Sequence, residues 1–110
     1  SDAIAAYGDI YLSIKSGTKI YQFNESEIVY IESVKDFIQI HFRDEKKLML
    51  KYRISQIESE LSGNFIRVHK SYIVNKKRIT TLAANSIEMG RIIIPVGESF
   101  KTGVERFLKH

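Results

Sequence analysis

The sequence predicts a mainly β domain of many short antiparallel strands with two brief helices. Three observations carry this. Apolar residues recur at every second position in one short segment after another. Turn formers such as Ser16-Gly17, Asn85 and Gly90 separate those segments. Helical spacing of apolar residues occurs only twice, at Ile54, Ile57 and Leu61 and at the C-terminal end. A chain of 110 residues suits one domain. Its 44% apolar and 27% charged content is ordinary for a packed fold, which excludes wholesale disorder.

The elements follow in order. Ile10, Leu12 and Ile14 alternate as one strand, Ser16-Gly17 turns the chain, and Ile20 and Phe23 mark the returning strand of a hairpin. Asn24 to Glu27 is a polar break. Ile28 to Ser33 is a β-branched run fit for a buried strand. Val34-Lys35-Asp36 links it to Phe37–Phe42, and the charged turn Arg43–Lys46 leads to a strand over Lys47–Tyr52. Ser55 and Glu58 have capping-box spacing at the start of a short middle helix, and Gly63 is placed to end it in a left-handed conformation. Phe65–Val68, Tyr72–Val74, Ile79–Leu82, Ser86–Met89 and Arg91–Pro95 are further strands. From Glu98 onward, Phe100, Val104, Phe107 and Leu108 form the stripe of a terminal helix, with Lys109 and His110 at the negative end of its dipole.

The chain has no cysteine, which excludes a disulfide scaffold, a thiolate metal site and a cysteine nucleophile. No apolar run approaches a membrane span, so no membrane partner and a cytoplasmic setting are expected. Residues 1–9 are read as an N-terminal extension or cloning residues, and residues 10–110 as the domain. The formal charge is +4, all of it from residues 56–110. Arg67 to Arg78 holds five basic residues, one histidine and no acid, which makes either an anion-facing surface or a solvated basic loop.

Catalysis finds no support. His41, His69 and His110 lack metal-ligand spacing, no glycine-rich phosphate loop follows a strand, and Ser71 beside His69 has no third group to orient the pair. No cofactor is expected. The carboxylate pairs Glu25/Glu27, Asp44/Glu45 and Glu58/Glu60 read as solvated charge.

Binding is better supported. Between apolar anchors at Phe65, Val68, Tyr72 and Val74, the residues His69, Lys70 and Ser71 offer donors on a loop or strand edge, suited to phosphate oxygens and base edges. His69 is read first as structural, satisfying a neighbouring carbonyl; Lys70 and Ser71 are read as contacts. Asn75 is read as closing the following turn through bonds to backbone. Lys76, Lys77 and Arg78 sit at the far end of that strand.

This stretch, Phe65-Ile66-Arg67-Val68-His69-Lys70-Ser71-Tyr72-Ile73-Val74-Asn75, resembles the most distinctive motif of the LytTR family, the DNA-binding output domains of bacterial response regulators. Ser26 to Ser33 resembles the family's Tyr-Ile-Glu strand, and Ile94-Pro95-Val96 its closing element. The resemblance spans Ile10 to Leu108. It implies about ten short strands in small antiparallel sheets, with loops rather than helices entering successive major grooves of double-stranded DNA. It also implies repeated sites, a receiver domain in the full-length chain and a dimer when activated, within a two-component system that regulates transcription.

The resemblance implies three contact regions. The first is Lys35 and Asp36, where Lys35 reaches phosphate or guanine, and Asp36 either accepts from cytosine or repels phosphate. The second is His69, Lys70 and Ser71, with Arg67 either bracing the loop or binding phosphate. The third follows the proline, where many members carry arginine and this chain has Glu98. Glutamate cannot donate to guanine, so that contact is lost, reversed to a cytosine acceptor, or moved to Ser99 or Lys101. The alternatives are a small β-barrel binder of RNA or single strands, with Tyr11, Tyr21 and Tyr52 as stacking platforms, and a protein-interaction module with no nucleic-acid role.

Overall fold

Hydrophobic alternation becomes ten strands in a computed structural model that describes residues 9–109. β1 (Tyr11–Ser16) and β2 (Lys19–Asn24) form a two-stranded hairpin. A 3₁₀ turn over Glu25–Glu27 leads into β3 (Ile28–Val34), β4 (Phe37–Phe42) and β5 (Lys47–Lys51). After α1 (Ile54–Glu60) come β6 (Phe65–His69) and β7 (Tyr72–Asn75). These build an antiparallel five-stranded sheet in the order β5-β4-β3-β7-β6. A turn at Lys76–Arg78 precedes β8 (Thr81–Leu82), β9 (Ser86–Met89) and β10 (Ile92–Pro95), a three-stranded sheet in the order β10-β9-β8. A turn at Glu98–Phe100 runs into α2 (Lys101–Leu108).

The central sheet separates two apolar cores. Leu12, Ile14, Ile31, Ile38, Ile40, Ile57 and Ile73 bring the β1–β2 hairpin and α1 onto one of them. Val68, Val74, Ile87, Ile94 and Val104 bring the three-stranded sheet and α2 onto the other. Each such side chain contributes about 1.5–3 kcal/mol by leaving water. β3 serves both because its side chains alternate between faces, with one slip of register between Ile28 and Tyr30. Ile28 and Ile31 join the first core, while Val29 and Tyr30, consecutive in the chain, both serve the second.

Several local expectations are corrected. Ile10 lies outside the strand and is exposed, and Ile20 is 73% exposed; Tyr21 and Phe23 give β2 its packed side. The Ser55–Glu58 capping box does not form, because α1 begins two residues earlier than it requires, with Arg53 at its cap and no side-chain cap bond. Gly63 is not left-handed, since the helix ends at Leu61 in an extended conformation. Glu25 is 5% exposed rather than solvated. Its carboxylate accepts from the Ser62 backbone N–H at 3.0 Å and from the Ser62 hydroxyl, tying the first 3₁₀ turn to the chain after α1. His110 and residues 1–8 of the N-terminal extension lie outside the described residues.

Candidate nucleic-acid interface

The first region is the β3–β4 turn. Lys35 and Asp36 are the two residues between the paired positions Val34 and Phe37. A two-residue hairpin favours positive φ at its centre, and Lys35 takes φ +57°. Both side chains are exposed at the tip.

The second region is the β6–β7 turn, Lys70-Ser71. Arg67 braces it from below. Its Nε donates to the His69 carbonyl at 3.3 Å, one terminal nitrogen donates to Glu58 Oε1 at 3.0 Å, and the other donates to the Lys70 carbonyl. The guanidinium thereby makes three bonds within the protein. His69 is likewise turned inward, but its partner is a donor rather than a carbonyl: Nδ1 accepts from the Ser71 N–H at 3.1 Å, and the ring packs against Tyr72. With Arg67 and His69 holding the backbone, Lys70 is exposed at the tip beside half-buried Ser71.

The third region follows β10. Lys101 Nζ lies 2.9 Å from Glu98 Oε2 and donates to Asn85 Oδ1 at 2.6 Å. Glu98 is 89% exposed, and Ser99 is exposed beside it.

Backbone bonds bring the three regions to one edge of the molecule. β3 and β7 run antiparallel with Glu32 opposite Tyr72, so the next residues converge, and the Ser33 N–H donates to the Ser71 carbonyl at 2.8 Å. In β6 the register slips between Arg67 and His69, which frees the Val68 carbonyl from the ladder. That carbonyl accepts from the Gly97 N–H at 2.8 Å. The turn, which the sequence placed on a loop or strand edge between apolar anchors, is thus the keystone between the other two.

Behind the β3–β4 turn, an open cleft of about 830 Å³ is lined by Lys15, Lys35, Lys51, Arg53 and Arg67, with Asp36 as its carboxylate. Sequence reading missed Lys15, Lys51 and Arg53 because they belong to separate segments and residues 1–55 are net neutral. Tyr52, also in the lining, donates to Glu60, and burial together with that bond pushes its pKa up to about 12. Beside the Ser33 end of β3, His41 Nε2 lies 2.7 Å from Glu32 Oε1 and its ring stacks on Tyr30 at 4.0 Å. Burial, then the Glu32 carboxylate and Tyr72, raise the Tyr30 pKa.

The basic triplet after β7 is largely structural. Lys76 sits over the Phe107 ring at 4.8 Å, and Arg78 donates to the Ser26 carbonyl. Asn75 is buried, donates to the Ile28 carbonyl at 2.9 Å and accepts from the Lys77 N–H at 3.0 Å. Of the three candidate stacking tyrosines, Tyr11 is exposed, whereas Tyr21 and Tyr52 pack against the first core. Among the described residues no helix is long and apolar enough to cross a membrane, and no cluster of histidine and carboxylate side chains is arranged to hold a metal ion.

Comparison with protein-family models matches residues 18–109 to LytTR, described as the LytTr DNA-binding domain. Among solved structures, the chain is similar to the LytTr DNA-binding domain of a methyl-accepting/DNA response regulator from Bacillus cereus, at 22% identity and a TM-score of 0.72. That alignment covers 94% of this chain and 98% of the other. Comparison with curated proteins finds no match.

Proposed function

The chain belongs to the LytTR family of DNA-binding domains, and from that premise we propose that it reads double-stranded DNA selectively through the three clustered loops, entering the major groove without a recognition helix. The convergence of the β3–β4 turn, the β6–β7 turn and the loop after β10 through two 2.8 Å backbone bonds carries this reading. The helices support it too. α1 buries Ile54 and Ile57 in one core, and α2 buries Val104 in the other, so the helices serve packing.

Lys35, Lys70 and Ser71 hold phosphates and base edges. Glu98, Ser99 and Lys101 form the third contact, with Ser99 as an exposed donor beside the Lys101–Glu98 pair. Arg67 and His69 act by fixing the loop. Asp36 selects for an exposed base amino group over a phosphate. The domain does no chemistry. It is the output half of a response regulator, joined to a receiver domain and acting as a dimer on repeated sites, the role that the name of the similar Bacillus cereus domain suggests.

Selection of bound sites from a random duplex pool tests this. The chain should enrich one sequence and prefer it to the matching single strand. Lys70→Ala should abolish enrichment, and Glu98→Arg should change the preferred base at one position. If wild-type chain enriches nothing, or if both variants select the wild-type site, the reading is wrong.

A further inference from the structure

We propose that the basic cleft behind the β3–β4 turn is a second DNA contact, a track for the phosphate backbone flanking the site that the loops read. The inference rests on the DNA-reading function above and adds residues that the three loops do not contain.

The cleft is continuous with the reading edge. Lys51 pairs across the sheet with Phe37, the residue after the Lys35-Asp36 turn. The Ser16 hydroxyl donates to the Lys51 carbonyl at 3.2 Å, which holds the end of β1, and with it Lys15, against β5. Arg53 follows two residues after Lys51, at the cap of α1. Four cations, Lys15, Lys35, Lys51 and Arg53, therefore line one open depression beside the loops. All four are exposed, and none has an acidic partner within 4.0 Å among the described residues.

Five other cations, Arg67 in the cleft among them, are neutralised in place. Arg43, Lys46, Arg67, Lys101 and Lys109 each lie against a carboxylate. Unpaired cations collected on low-dielectric walls focus a positive potential outward. The cleft is open, and Tyr52 and Ile54 are the hydrophobic residues in a lining otherwise polar or charged, so its chemistry suits a row of phosphates rather than an enclosed ligand. A duplex held at Lys35 by one backbone position can place neighbouring phosphates along Lys51, Arg53 and Lys15.

The test combines Lys15→Gln, Lys51→Gln and Arg53→Gln, which remove the charges and keep a polar side chain with part of the aliphatic stem. The Ser16–Lys51 bond uses a backbone carbonyl, and Arg53 makes no side-chain cap bond, so thermal melting should match wild type. Affinity is measured by fluorescence anisotropy across a salt series, on the duplex selected by the wild-type chain with flanks on both sides. Each lost phosphate contact flattens the slope of log K against log salt by about 0.9, so the triple variant should be flatter by about 2.7. It should still select the same bases. Phosphate ethylation interference on the wild-type complex should reveal sensitive phosphates on one side of the selected site, beyond the bases whose identity matters.

An unchanged slope in the triple variant, or no sensitive flanking phosphates, would overturn the cleft while leaving loop reading intact. A flatter slope in the triple variant alongside a Lys70→Ala variant that binds like wild type would support the cleft and remove the β6–β7 turn as reader. A wild-type chain that binds no duplex at any salt would overturn both.

Discussion

Lys35, the proposed phosphate contact of the β3–β4 turn, has an unfavourable backbone. Its φ of +57° is a conformation that costs a residue with a Cβ about 1 kcal/mol. Glycine would fit the turn better, so Lys35→Gly should leave melting unchanged or raise it, yet weaken duplex binding severalfold and flatten its salt slope by about 0.9. A variant that folds as well and binds worse separates function from stability, and a glycine variant that binds like wild type would remove Lys35 from the interface. Asn75 predicts the opposite. It is buried with both ends of its amide engaged, so Asn75→Ala should cost about 2–3 kcal/mol in denaturant titrations while the folded fraction keeps its base preference. Tyr52 gives a pH signature. Its folded pKa of about 12 lies above the unfolded value near 10, so the folded chain keeps a proton that the unfolded chain loses. The stability from this group is intact below about pH 10 and is lost as pH rises towards 12. Tyr52→Phe should remove that alkaline decline in melting temperature, and an identical decline in the variant would refute the assignment.

At the scale of elements, the proposed reading assigns Arg67 of the β6–β7 hairpin to the fold and Lys70 to the partner. Arg67 makes three bonds inside the protein, to Glu58 and to two carbonyls of its own turn. Removing it should loosen the turn and lower affinity for the selected duplex about tenfold, with the salt slope unchanged because no phosphate contact is lost. Lys70→Ala should lower affinity and flatten the slope together. Glu58→Ala should reproduce a part of the Arg67 effect, and the double variant should show non-additivity. A flattened slope in Arg67→Ala would return Arg67 to the phosphate. The hairpins and the stripe of α2 were legible because alternation and helical period are local properties of the chain. The Ser55–Glu58 box and the Gly63 stop failed because α1 is set by burial of Ile54 and Ile57, and packing placed the helix two residues early. Glu25 was misread for a related reason. Its partner, Ser62, is 37 residues away, and nothing near Glu25 in sequence announces it. Of the three proposed loops, the β6–β7 turn was signalled by donors between apolar anchors as well as by the motif, and the other two by resemblance alone, whereas the cleft cations, drawn from four segments, left no contiguous signal.

At the scale of the whole molecule, the three loops act as one surface only while the loop after β10 stays docked on the β6–β7 turn. Gly97 makes that docking possible. A Cβ there would lie 3.0 Å from the Phe100 ring and 3.6 Å from the His69 ring. Phe100 packs against the second core and His69 holds Ser71, so neither ring can move without disturbing what it supports. Gly97→Ala should therefore cost about 1–3 kcal/mol and shift the third loop relative to the second. The functional consequence differs from a simple loss of affinity. Base preference should blur at positions read by Glu98 and Ser99 and persist at positions read by Lys70. Gly103 supplies the control, since a Cβ added there meets nothing within 4 Å and the residue lies inside α2. Gly103→Ala should raise stability by about 1 kcal/mol through helix propensity and leave site selection unchanged. Melting curves and parallel selections on the two variants decide the matter. Equal preferences in Gly97→Ala and wild type would mean that the third loop reads DNA independently of its docking, and the single-surface account would then fail.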